Sequence, residues 1–268
     1  MAISKGINKI TGSLQGMSMY TLRGGDKIYV RAKGGPNKST IQLSPKFAKV
    51  RLNNKEWPGC TLLGSNIRSA FQPLNRLEDY AVSGALNALA KQIQLGDQEG
   101  EHGARGLFLS QHKEMLAGFN VSRKQVLETV LRVPMEYVVD RLTVSAKVTI
   151  QPINTDLHLV NFRNLPFFRI IITLGTVSDM TFVEANNQYQ PTSPLFSRKG
   201  EMVESDWFST HTVLPAQEFE LRFPEDMRQL SDDVSLVLGI GVEFGNSGFD
   251  ANPVGVKYTG CGKVVVVK

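Results

Sequence analysis

Aromatic and cationic residues alternate near the start of the chain, where Tyr20, Arg23, Lys27, Tyr29, Arg31 and Lys33 follow one another within fourteen positions. Rings interleaved with cations can stack bases and neutralise phosphates. No recognised nucleic-acid motif accompanies them, so a ribbon that docks on protein by strand addition is an equal use of the same residues. Just beyond, Gly34-Gly-Pro-Asn-Lys-Ser-Thr40 resembles the end of a phosphate loop. It lacks a glycine before Lys38, and neither a buried strand before it nor an amphipathic helix directly after it completes the motif. The four histidines, His102, His112, His158 and His211, show no i,i+4 metal spacing. H-E-x-x-H, CxxC and G-x-S-x-G are all missing. The charged loop 96–106 carries acids and His102 but fits neither a calcium nor a zinc pattern, and it reads as a flexible connector. Asp232-Asp233 and Glu225-Asp226 are neighbours in connections, where adjacent carboxylates are solvated rather than convergent. Trp207-Phe208 suits a sugar-binding patch, but core filling or interface anchoring is the more frequent fate of such a pair. The expectation is therefore a non-enzymatic protein with no cofactor, no metal and no catalytic residues.

Charge divides the chain unevenly. Of 268 residues, 41% are apolar and 21% charged, and the net charge is +5, the balance of a folded protein with room for a sizeable core. Residues 1–60 hold eleven Lys/Arg against Asp26 and Glu56, whereas the remainder holds nineteen basic against twenty-three acidic side chains. A basic segment on a mildly acidic body attracts nucleic acid or the acidic surface of another copy. The plainer reading is that these lysines keep an exposed ribbon in solution. Met1-Ala-Ile-Ser-Lys-Gly-Ile-Asn-Lys9 lacks the apolar core of a signal peptide, and no run reaches membrane-spanning length. The expected location is the cytoplasm, or a particle after assembly, with no membrane partner. Cys60 and Cys261 are too few and too far apart in sequence to indicate a disulfide framework.

The elements that must position these residues begin with a β-hairpin. Met17–Leu22 and Lys27–Arg31 are strand-like runs flanking Arg23-Gly-Gly-Asp26, whose glycines supply positive φ. An isolated two-stranded ribbon is marginal in water, so this arm needs a surface to lie on. Ser44-Pro45 marks a helix start, Pro58-Gly59 its end, and a second helix is expected over 61–71. A third carries Val82, Leu86, Leu89 and Ile93 within one arc. From Tyr137 the period becomes two: Leu142, Val144, Ala146, Val148 and Ile150 alternate with polar residues. Phe167–Leu174, Phe219–Phe223, Val234–Phe244 and Val256–Val267 add further strands, with Gly239 and Gly241 leaving room for close approach. The architecture expected is α+β: an N-terminal β-hairpin arm (1–40), a small helical layer with its loop (41–106), and a C-terminal antiparallel β-sandwich, jelly-roll-like (107–268).

The opening Gly6-x5-Gly12-x3-Gly16, the Arg-Gly-Gly-Asp-Lys turn, Tyr29-Val-Arg31, and Ser39-Thr40-x-Gln42 followed by Phe47 resemble the N-terminus of a family of Bacteroidota proteins of unknown function. Members of that family occur near prophage-like or other mobile gene clusters, and the resemblance implies a β-rich body. Ser13-Leu-Gln stands where the family pattern has a lysine beside the third glycine. The resemblance assigns no catalytic residues. It and the basic arm together point to a self-assembling structural protein, a subunit of a phage-like particle or filament. Its arm, through Met17, Met19, Tyr20, Arg23, Lys27, Ile28, Tyr29, Arg31 and Lys33, docks on a neighbouring subunit in a homo-oligomer or larger assembly. A nucleic-acid-binding arm and a glycan-binding sandwich are the alternatives.

Overall fold

The computed structural model describes residues 2–4, 11–22, 27–224, 227, 230–248, 250 and 252–268. The chain divides into two compact units, Met1–Arg51 and Leu52–Lys268.

In the first unit, strands β1 (Ala2–Ser4), β2 (Gly12–Leu14), β3 (Met17–Thr21) and β4 (Ile28–Ala32) form an antiparallel sheet ordered β1-β4-β3-β2. The expected two-stranded ribbon is thus the central pair of a four-stranded sheet. Residues 23–26 of its β3–β4 connection, Arg23 among them, lie outside the described residues. A tighter turn, not foreseen, joins β2 to β3: Gln15 (φ 44°) and Gly16 (φ 78°) are both left-handed, as a two-residue hairpin loop matched to strand twist requires. The phosphate-loop-like stretch is a helix cap. Asn37 Oδ1 accepts from the Thr40 amide (2.7 Å) and from the Ser39 and Thr40 hydroxyls (2.8 and 2.6 Å), starting the short helix α1 (Lys38–Leu43).

The second unit holds nearly all of α2 (Ala48–Ala70), together with α3 (Val82–Gly96) and α4 (Leu127–Val130). Here α2 runs straight through Pro58-Gly59, where the sequence suggests an end. Proline removes only the bond to the Asn54 carbonyl, and Asn54 and Pro58 both face solvent, so water can satisfy that group. Gly59 has its own role, because a Cβ there would lie 2.7 Å from the Tyr189 ring.

The strands that follow are β5 (Met135–Asp140), β6 (Ser145–Ile150) and β7 (Ile153–Asn154). After α5 (Thr155–His158) come β8 (Phe167–Ser178), β9 (Met180–Val183), β10 (Gln188–Pro191), β11 (Gly200–Glu204), β12 (Phe208–Ser209) and β13 (Val213–Leu214). The last are β14 (Gln217–Arg222), β15 (Val234–Ser247), β16 (Pro253–Gly255) and β17 (Cys261–Val267). The single alternating strand expected over 142–150 is the second half of a hairpin. Leu142 sits at its tip, 83% exposed, and Val144 adopts φ 46°.

The spine is β8 paired antiparallel with β15, from Ser178↔Val234 to Phe167↔Gly245. β11 and β12 extend it beside β8, β16 and β17 beside β15. One face (Phe168, Ile170, Ile172, Leu236, Leu238, Ile240) shares a core with Ala146, Val148, Ile150, Phe219 and Leu221 of the β14-β6-β5 sheet. The other face (Ile171, Val177, Val237, Val264) shares a second core with α2, the 3-10 turn Gln72–Leu77 and α3, through Leu63, Ile67, Leu74 and Leu86. Gly239 and Gly241 do admit close approach, since Leu74 methyls stand 2.9 and 2.6 Å from where a Cβ would be. The result is an α+β fold whose antiparallel sheets pack on each other, with a helical layer on the outer side of the larger one.

Candidate interface on the N-terminal sheet

Register assigns each arm residue to a face, because directly opposed residues in an antiparallel pair share one. Leu14, Met17 and Ala32 are in line across the sheet; Met19 opposes Val30, and Thr21 opposes Ile28. These residues give one face that is apolar apart from Thr21. The opposite face holds Ser13, Ser18, Arg31, Tyr20 and Tyr29. There Tyr20 and Tyr29 stack with centroids 5.7 Å apart, and the Arg31 guanidinium lies 5.5 Å from the Tyr20 ring centre. The nine expected arm residues therefore do not form one surface. Met17, Met19 and Ile28 lie on the apolar side; Tyr20, Tyr29 and Arg31 lie on the aromatic side; exposed Lys27 and Lys33 flank β4. Leu14, Val30 and Ala32 were missed, although the spacing of two from Ile28 to Val30 to Ala32 carries that signal.

The apolar face is poorly covered. Leu14 and Met17 are 59% and 41% exposed, and among described residues 11–51 only Ile28 is buried. Met1–Arg51 holds ten Lys/Arg against the single acid Asp26, whereas Leu52–Lys268 holds twenty against twenty-four.

Elsewhere the titratable groups serve the fold. Fully buried Glu56 accepts from Arg105 (Nε and Nη2, 2.7 Å each), Lys91 Nζ (2.7 Å) and the Gly103 amide (2.9 Å). Burial alone would raise its pKa; the donors outweigh burial and hold it at about 2. Loop 96–106, expected to be a flexible connector, is instead tied down by this pair and by Asp97, which accepts from the Glu99, Gly100 and Gly106 amides. Asp233 accepts from the hydroxyls of Thr192 and Ser193. Buried Asp179 is held by the Ser110 amide and hydroxyl, and its desolvation raises its pKa. Glu225-Asp226 lies outside the described residues.

Arg169 bridges Glu243 (2.7 Å) and Glu204 (2.5 Å), with its guanidinium 4.5 Å from the Trp207 ring centre. A Cβ on Gly245 would come within 2.6 Å of the same ring, so Trp207 is packed within its own chain. His102 pairs with Asn53, His112 lies near Glu114, His158 accepts from the Asn154 amide, and His211 lies 3.6 Å from Asp156. Among the described residues no three potential ligands converge on a metal position. Cys60 and Cys261 are both buried and free, and among the described residues no helix is long and apolar enough to cross a membrane.

Comparison with protein-family models, curated proteins and solved structures returned no match to this chain.

Proposed function

We propose that this chain is a non-enzymatic assembly subunit of a particle or filament, of the phage-like kind its N-terminal resemblance implies, and that its N-terminal unit docks on a neighbouring copy. One observation carries the reading: a sheet face that is apolar across β2–β4 apart from Thr21 and leaves Leu14 and Met17 in water. Covering such a face is worth roughly 25 cal/mol per Å² of apolar surface, and among the described residues of its unit only Ile28 is already buried. The test is to size the full chain beside one shortened by residues 1–40, both at high concentration. Assembly of the full chain alone is expected; two monomers would sink the proposal.

A second reading is favoured by the Tyr20–Tyr29–Arg31 ladder on the other face, which suits single-stranded nucleic acid. Oligonucleotide binding that weakens steeply with salt would support it. The glycan reading has less to stand on, because the Trp207 ring packs against Arg169 and Gly245.

A further inference from the structure

We infer that the acceptor for the N-terminal unit is strand β5 of a second copy, so that copies join head to tail. The inference rests on the assembly reading above and adds to it the partner surface.

Charge selects the pairing. Two N-terminal units face to face would bring ten cations against ten, with one acid on each side. The same unit set against the Leu52–Lys268 body of another copy meets an excess of acids, so long-range attraction favours unlike halves.

Within that body, β5 has what such a docking needs. It is an edge strand of the β14-β6-β5 sheet, and among the described residues no backbone hydrogen bond joins it on the side away from β6. Its sequence, Met-Glu-Tyr-Val-Val-Asp, contains neither Lys nor Pro; its two charges, Glu136 and Asp140, are both negative, so they oppose pairing with a like edge and admit a cationic partner. Apolar groups remain uncovered along it: Tyr137 is 43% exposed, Val138 67%, and Leu142 stands out at the turn that follows.

The acids sit around this line. Register places Glu136, Thr149 and Glu218 in one row of the outer face, Val138, Lys147 and Glu220 in the next, and Asp140, Ser145 and Arg222 in the third. Lys147 pairs with Glu218 (3.0 Å) and Arg222 with Glu220 (3.2 Å). Glu136 and Asp140, both on β5, form no salt bridge among the described residues; Asp140 accepts from the Leu142 amide and the Thr143 hydroxyl and feels the charge of Lys268 at longer range. An apolar strand edge that carries Glu136 and Asp140 complements an apolar sheet face on a unit of strong positive charge, with Lys27 and Lys33 at the two ends of β4. A joint between unlike surfaces gives rings or open filaments, or a closed pair in which two copies exchange their N-terminal units.

Complementation tests this. Full-length chains carrying Met17→Asp/Met19→Asp lose the donor face; chains carrying Glu136→Lys/Val138→Lys lose the acceptor edge. Each alone is expected to be monomeric by sedimentation, and an equal mixture to form one-to-one dimers and nothing larger, since only one working joint remains. Lys27→Glu/Lys33→Glu is a second donor variant that leaves the apolar face intact and reverses the charges flanking β4, and it should behave in the same way. Should the acceptor variant assemble as the parent does, or the mixtures stay monomeric, β5 is not the acceptor and the inference falls. A parent chain that never assembles removes the assembly reading itself, a result distinct from either of those.

Discussion

Glu56 is the residue on which acid sensitivity should turn. Its pKa is about 2 in the folded chain and near the ordinary 4.5 once exposed, so the folded state binds the proton less tightly than the unfolded state does. The stabilisation is complete above pH 4.5 and disappears as pH falls from there towards 2; the shift corresponds to on the order of 3 kcal/mol. Urea unfolding at pH 7 and pH 3 should show that loss. Glu56→Gln should lower stability at pH 7 by a similar amount, leaving Arg105 and Lys91 without their carboxylate, and should flatten the pH dependence. Parallel pH profiles for the two proteins would assign the effect elsewhere. The cysteines make a second prediction. Burial pushes Cys60 up to about 11 and Cys261 up to about 12, so a thiol reagent at pH 8 should find no reactive group in the native protein and two in urea. Neither property was legible in the sequence. The partner of Glu56 is Arg105, which lies in a loop with the composition of a flexible connector, and no local pattern announces a pairing across that distance.

Elements built on period-two alternation were the legible ones. Phe219, Leu221 and Phe223 point to the sheet-on-sheet core, and Gly239 and Gly241 mark where Leu74 comes down on β15. The β5–β6 turn was not legible, because Arg141-Leu-Thr-Val144 contains no Gly, Pro or Asn. What makes it is tertiary: Arg141 donates to the carbonyls of Ser231, Val234 and Lys268, while Asp140 accepts from the turn. Val144, a β-branched residue at positive φ, is held there by a fully buried side chain. Two glycines allow a contrast at this scale. A Cβ on Gly175 would meet the Ala70 carbonyl oxygen at 2.2 Å, and backbone cannot step aside cheaply. Gly84 is exposed within α3 with nothing within 4 Å of such an atom. Gly175→Ala should cost about 1–3 kcal/mol, whereas Gly84→Ala should add up to about 1 kcal/mol. Denaturant midpoints read both, and equal shifts would contradict the packing described here.

At the scale of the whole molecule, both large cores belong to Leu52–Lys268. Met17→Asp/Met19→Asp should therefore abolish assembly while the main thermal transition of dilute protein stays within a degree or two, about the effect of a surface substitution. A large fall in that transition would mean the N-terminal sheet supports the body rather than reaching beyond it. The charge asymmetry behind this division was plain from the sequence. That Tyr20 lies opposite Met17 and Met19 follows from strand alternation; that Tyr29 shares the face of Tyr20 needed the register.

The pairing of β8 with β15 has a consequence for synthesis. Helices α2 and α3 leave the ribosome early, yet the floor they rest on is completed only when β15 arrives, long after. Until then Phe167-Phe-Arg-Ile-Ile-Ile waits with neither side sheltered, so the nascent chain should depend on a holding chaperone. A stall ahead of Val234 would yield an insoluble fragment instead of a folded half.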